Sequence, residues 1–141
     1  MRTDFYLLSS DSLAERDHYA CRLVEKAFLA KQTLFIAMES DEEAAHFDQL
    51  LWQFRADSFV PHALSKNHSA DALMPILIGT ALVTQPADIW LNLSQRPAPT
   101  DLPCQRLIEI VPNNPALQST ARERFRHYRE LGYTLQTHHV N

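Results

Sequence analysis

Two glycines, Gly79 and Gly132, serve a chain of 141 residues, and no other feature of the sequence restricts its chemistry so tightly. A loop that cradles phosphate needs several glycines, because the backbone must approach the ligand at dihedrals a side chain obstructs. Neither a Walker loop nor a GxGxxG turn can be assembled from these two. Nucleotide-binding enzymology of the usual kind is thereby set aside. What remains is an ordinary globular chain, 45% hydrophobic and 21% charged, long enough to bury roughly 68% of its unfolded surface in one domain covering residues 1–141.

The order of elements follows from short signals. Phe5 to Leu8 is an apolar run that predicts a buried first strand. Ser12-Leu13-Ala14-Glu15 has the spacing of a capping box, in which each side chain satisfies an orphan amide of a helix start. Leu13, Ala20, Val24, Ala27 and Phe28 then recur at helical spacing as one apolar face. Thr33 to Met38 is β-branched and apolar, a second strand, and Ser40-Asp41-Glu42-Glu43 opens a second helix reaching about Phe54. Strands are further expected at Pro75 to Ile78, Ala87 to Leu93 and Arg106 to Val111, with Pro97, Pro99 and Pro103 keeping the link between the last two non-helical. A final helix spans about Ala116 to Leu131, Gly132 ends it, and Tyr133 to Thr137 returns as a strand. Alternating strands and helices imply right-handed crossovers. The expected fold is one three-layer α/β/α domain with a mainly parallel sheet, Rossmann-like but without a nucleotide-binding loop.

The net charge of −4 is uneven: residues 1–57 carry 11 acidic and 6 basic groups, the remainder 6 and 7. Bulk coating of nucleic acid is excluded, so an anionic partner must meet a local cluster. Arg122, Arg124, Arg126 and Arg129 supply one on the last helix. At 100° per residue, Leu117, Ala121, Tyr128 and Leu131 point inward. Phe125, Gln118, Arg129, Arg122 and Arg126 follow around the wheel as an aromatic beside a basic stripe. Guanidinium forks suit carboxylates, and the ring can wall an apolar pocket, a combination matching an acidic-hydrophobic peptide tail. A phosphate backbone and a solvated face paired with Glu123 and Glu130 are the competing readings. Arg124 points to the apolar side, where a packed stem and an ion-paired head are expected.

On the second helix Ala44, Phe47, Leu50, Leu51 and Phe54 share a face, whereas Trp52 projects away from it. Together with Ser58-Phe59-Val60-Pro61-His62 it forms either an exposed aromatic patch or a segment folded back over its own helix. Signals for chemistry are sparse. The seven histidines include no HExxH, the two cysteines (Cys21 and Cys104) no CxxC, and the serines no GxSxG elbow, so no catalytic residue, metal or cofactor is expected. Asp41, Glu42 and Glu43 suit a first helical turn. No signal peptide or membrane-length apolar run is recognised, and a soluble, cytoplasmic chain is expected.

FYLL at 5–8, LW at 51–52, SFVPH at 58–62, DIWLNLS at 88–94, IEIVP at 108–112 and ARERFRHYRELGY at 121–133 resemble the chi subunit family of bacterial DNA polymerase III holoenzyme. The resemblance runs end to end and is weakest from Ala63 to Ala87. It implies a non-catalytic clamp-loader accessory that pairs with the psi subunit and binds the acidic C-terminal tail of single-stranded DNA-binding protein, contacting DNA mainly through it, with no membrane and no small-molecule substrate. Carried over by residue, the psi-facing patch is Trp52, Phe59, Val60 and Pro61. The tail site is Val111, Arg122, Phe125 and Arg126, with Gln118, Arg129 and Thr137 beside them. Gln118 is a departure, since a basic residue can occupy that position in relatives. In some relatives the psi-facing patch also serves a helicase-like partner. The rival reading is a small α/β enzyme acting on a nucleotide or phosphate through Asp41, His62 or the arginines.

Overall fold

The computed structural model describes residues 1–54, 60–64, 75–80, 87–99 and 104–140. Seven strands and three helices follow one another as β1 (Arg2–Leu8), α1 (Leu13–Leu29), β2 (Leu34–Ala37), α2 (Asp41–Gln53), β3 (Ala63–Leu64), β4 (Ile76–Gly79), β5 (Ile89–Asn92), β6 (Arg106–Val111), α3 (Pro115–Glu130) and β7 (Thr134–Val140). They form one sheet in the order β3-β4-β2-β5-β6-β1-β7, and every pairing is parallel. The expected α/β architecture is observed.

Parallel strands joined by right-handed crossovers place leftward and rightward connections on opposite faces. The step from β1 to β2 and that from β2 to β3 run one way, so α1 and α2 share a face. The step from β6 to β7 runs the other way and puts α3 on the opposite face. The side chains divide accordingly. Ile36, Ile78, Leu91 and Ile108 pack with Val24, Phe47 and Leu51 of α1 and α2. Their neighbours along the strands, Phe35, Leu77, Trp90 and Leu107, turn the other way and pack with Tyr128 of α3. Burial on both faces explains why these strands read as continuous apolar runs rather than alternating ones.

Both predicted caps form in part as expected. Ser12 Oγ accepts from the Glu15 amide at 3.3 Å and Ser40 Oγ from the Glu43 amide at 3.1 Å. The reciprocal half differs at α1, because the Ser12 amide donates to Ser10 Oγ at 3.2 Å instead. Leu13 is 53% exposed rather than on the core face. It stands at the first position of α1, where the helix has not yet reached the sheet, and Cys21 takes the inward place. Leu131, also expected inward, is 41% exposed, since α3 ends before it. β3 was not foreseen; two residues are too few to show a period. The expectations for Phe59, Pro103, residues 65–74 and residues 81–86 lie outside the described residues.

β7 lies at the sheet edge, fastened to β1 by a buried carboxylate. Asp4 Oδ1 lies 2.8 Å from His138 Nε2, and Asp4 Oδ2 accepts from Arg106 Nε at 2.6 Å, with Arg2 Nε at 3.2 Å. Burial alone would raise the Asp4 carboxyl, but the hydrogen bonds from His138 and Arg106 outweigh it and hold its pKa below the usual aspartate value. Three adjacent strands, β6, β1 and β7, are thereby tied at one level.

Candidate functional site

α3 carries the basic stripe, and its placement begins with its N-terminus. Asn114 Oδ1 accepts from the Ala116 and Leu117 amides at 3.0 and 3.2 Å. Pro115 occupies the first turn, where its missing N–H costs nothing. At the other end the Gly132 amide reaches Arg129 O and the Tyr133 amide reaches Tyr128 O, a Schellman closure that needs the positive φ of 87° at Gly132. The Tyr128 and Tyr133 rings stack beside it at 5.7 Å.

Between these ends a buried polar network fixes the helix rotation. Glu109 of β6 is 2% exposed. It accepts from Arg124 Nη1 at 2.8 Å, Tyr128 OH at 2.6 Å and Asn92 Nδ2 at 2.9 Å. Tyr128 OH accepts in turn from the Ala98 amide at 2.9 Å, and Arg124 Nη2 donates to Ser94 O at 3.1 Å. Burial pushes the Glu109 carboxyl up, opposed by the Arg124 charge and by the three donors. The structural role expected for Arg124 is observed: it is 9% exposed and ion-paired.

With Arg124 and Tyr128 pinned inward, Phe125 is directed along the sheet toward β1. Its ring lies 5.4 Å from that of Phe5. A cavity of about 220 Å³ opens here, lined by Val111, Gln118, Arg122, Phe125 and Thr137 together with Phe5, Leu7, Leu8 and Ala121. Five of the seven residues singled out for tail binding thus surround one space. Arg126 and Arg129 do not line it; both are exposed along the helix beyond it. Arg122, Arg126 and Arg129 make no ion pair among the described residues. Gln118 is engaged, its Nε2 donating to Asn113 Oδ1 at 2.9 Å. A mainly apolar cavity bordered by the Arg122 guanidinium, with two further exposed arginines along the helix, suits a ligand that joins an apolar ring to carboxylates. The walls from β1 were missed in the sequence. Phe5 and Leu7 alternate as one face of a strand, but alternation does not say which helix covers that face.

The other singled-out residues lie on the α2 side. Trp52 is 40% exposed, and its ring sits 4.1 Å from that of His62. His62 is buried, with Nδ1 2.6 Å from Val60 O and Nε2 3.0 Å from Asp48 O. Pro61 is half-buried, whereas Val60 is 5% exposed and belongs to the core beneath α2. Val60 therefore supports the patch from below. Of the segment's described residues, Val60 and His62 fold against the helix while Trp52 stays 40% exposed, which combines the two sequence readings.

Groups with catalytic potential are separated or shielded. Asp41 and His62 stand at opposite ends of α2, since His62 is bonded to Asp48 and stacked on Trp52. Burial raises the thiol of Cys21 to about 12 and that of Cys104 to about 11, so little thiolate exists at neutral pH. No group of three or more His, Cys, Asp or Glu among the described residues can hold a metal ion. A crevice of about 310 Å³ lies at the carboxyl ends of β5 and β6, where this fold class binds ligands. Its lining includes Arg16 and the Glu109–Arg124 pair, and the turn after β1, Ser9 to Ser12, contains no glycine.

Residues 1–136 match the family described as DNA polymerase III chi subunit, HolC. The chain belongs to this family. Among its relatives is the DNA polymerase III subunit chi of Pseudomonas aeruginosa, 36% identical over 143 residues that cover 99% of this chain and 96% of the relative. That of Haemophilus influenzae is 30% identical, covering 96% and 95%. The Escherichia coli protein is 28% identical, covering 94% of each. The family match runs from β1 into the first residues of β7, so it takes in α2 and α3. No helix among the described residues of this chi-family chain is long and apolar enough to cross a membrane.

Proposed function

We propose that this chi-family chain is a non-catalytic accessory subunit of the DNA polymerase III clamp-loader complex. It bridges the psi subunit to the acidic C-terminal tail of single-stranded DNA-binding protein. One observation supports the reading: the cavity of about 220 Å³ between α3 and β1 has a mainly apolar lining with Arg122 on its border, and Arg126 and Arg129 are exposed further along the same helix. The terminal aromatic ring of the tail enters between Phe125 and Val111, while Arg122 and Arg126 hold its carboxylates by charge-assisted hydrogen bonds. Trp52 and Pro61, on the far side of the sheet, supply the psi-facing surface, with Phe59 adjacent in sequence. DNA is reached mainly through the coated strand.

Titration of an acidic, phenylalanine-terminated peptide tests the tail site. Arg122→Ala weakens binding about tenfold, as expected for loss of a charge-assisted bond worth ~1.5 kcal/mol. Affinity also falls steeply with added salt, because the charged part is screened over about 8 Å at physiological ionic strength. Equal affinity in wild type and Arg122→Ala would sink the assignment.

A further inference from the structure

We infer that the open corner of the sheet beside α1 is a platform on which single-stranded nucleic acid stacks, weakly and without sequence preference. It lies on the α1 face of β1 and β7, the reverse of the face that carries the α3 cavity. A direct contact with the strand is thereby added to the one proposed through its coating protein. α1 packs against β6 and leaves the same face of β7 open. Leu135 packs with the α3-side cluster and Val140 with the α1-side cluster, so Thr134, Gln136 and His138 alternate onto the α1 face. Thr134 and Gln136 are exposed there.

Three rings form one run across this corner. His138 and Tyr6 are partners in register on β7 and β1, with ring centroids 4.7 Å apart and planes within 21° of parallel. Tyr19 of α1 stands against Tyr6 at 5.7 Å, and the Arg22 guanidinium sits 5.7 Å from the centre of the Tyr19 ring. Tyr6 and Tyr19 are half-buried, and the His138 side chain is 37% exposed. Arg106 Nη2 donates to the Tyr6 hydroxyl at 2.8 Å, and His138 is held by Asp4. The rings are thus fixed in place and reachable from solvent. Rings set on a sheet in this way stack about two or three bases in other sheet-borne readers, and stacking tolerates any base because each has a π-face.

Cations border the rings on two sides. Arg2 and Arg106 are partners in register on β1 and β6, about 13 Å along the strand from Tyr6. They share the buried carboxylate of Asp4, which leaves one positive charge over. Arg22 and Lys26 are exposed on adjacent turns of α1, and neither makes an ion pair among the described residues. Glu15 lies beside Arg22, whereas Glu25, seven residues on from His18, is on the flank of α1 that meets Phe54. Four cations therefore face the carboxylates of Asp4 and Glu15, a local positive excess on a chain whose net charge is −4. That excess attracts a polyanion. The aromatic floor then favours a strand with open bases over an acidic polypeptide, which has none, and over a duplex, whose bases are already stacked. Because its members come from β1, α1, β6 and β7, the platform shows no cluster along the sequence.

The platform is tested by fluorescence anisotropy of a labelled oligothymidylate of about 15 nucleotides, titrated with the full chain at low salt. Saturable binding is expected, with a log–log salt slope of about −2, as two or three phosphate contacts at roughly 0.7 each would give. Tyr19→Leu keeps an apolar contact with Tyr6 but removes the ring, and weakens binding about tenfold. Arg22→Ala, on the exposed side of α1, lowers the slope by about 0.7 and reports independently of any disturbance that Tyr19→Leu causes in the helix. Amide shifts of the isotope-labelled chain centre on Tyr6, Tyr19 and Gln136. Absence of saturable binding overturns the platform, as do shifts confined to Arg122, Phe125 and Arg126. Equal affinity for a duplex of the same length or for polyglutamate would mean that charge alone acts, and overturns it as well. Because the probe is a naked strand, each of these outcomes leaves the tail and psi assignments untouched.

Discussion

Lys31 adopts a φ of 62° at the end of α1, the one positive value among the described non-glycine residues. Its setting matches that of Gly132. The Lys31 amide reaches Phe28 O at 2.9 Å and the Gln32 amide reaches Ala27 O at 3.0 Å, the same Schellman closure that Gly132 makes for α3. An L side chain in this conformation costs about 1–2 kcal/mol, and glycine gives back part of the difference through its larger unfolded-state entropy. Lys31→Gly is therefore expected to stabilise the chain by about 0.5–1 kcal/mol, raising the thermal midpoint by roughly 3 °C. Gly132→Ala should act in the opposite sense by a similar amount, even though a Cβ there meets nothing within 4 Å. The strain lies in the backbone, and a calorimetric scan of both variants separates it from packing. Scarcity of glycine thus leaves a mark on stability as well as on the chemistry it excludes.

Among the elements, α3 does most to position the site, and Glu109 holds α3. Arg124 was legible in the sequence because the wheel placed it among apolar side chains, where a cation needs a partner. Glu109 was not, since one carboxylate within RLIEIV gives no sign of which helix will cover it. Glu109→Ala leaves the Arg124 guanidinium buried without its counter-ion and is expected to cost about 3 kcal/mol or more, read as a lower urea midpoint at unchanged slope. Replacing both partners, Glu109→Leu with Arg124→Met, should recover most of that loss. A small effect of Glu109→Ala would mean that apolar contacts of Tyr128 and Phe125 seat the helix by themselves. Elsewhere, the parallel sheet was legible because capping serines, apolar runs and one C-terminal glycine mark the ends of elements by local chemistry. Leu13, Leu131 and the walls Phe5 and Leu7 depended on where an element meets its neighbour, which periodicity along one segment does not encode. On α3, by contrast, the aromatic-basic pattern was legible as a stripe because all its members share one helix.

Across the whole molecule, the two proposed surfaces stand on opposite faces of the sheet. Trp52 belongs to α2, which packs on the Ile36 and Leu91 side, and Phe125 to α3, which packs on the Phe35 and Leu107 side. Between them lies a close-packed layer of strands buried on both faces, with β6, β1 and β7 further tied by Asp4. Coupling between two sites requires an element with two arrangements that both ligands bias, and no described element joins Trp52 to Phe125 directly. The bridge should therefore behave as two independent sites on a rigid block. Trp52→Ala is expected to abolish co-purification with psi while leaving the affinity for the acidic peptide within about twofold, the usual tolerance for distant substitutions. Saturating the chain with peptide should likewise leave its affinity for psi unchanged within the same margin, measured by calorimetry with and without peptide. A tenfold shift in either experiment would mean that the sheet transmits binding, or that psi reaches around to α3. An unfolded Trp52→Ala chain would place that half-exposed ring among the supports of the core.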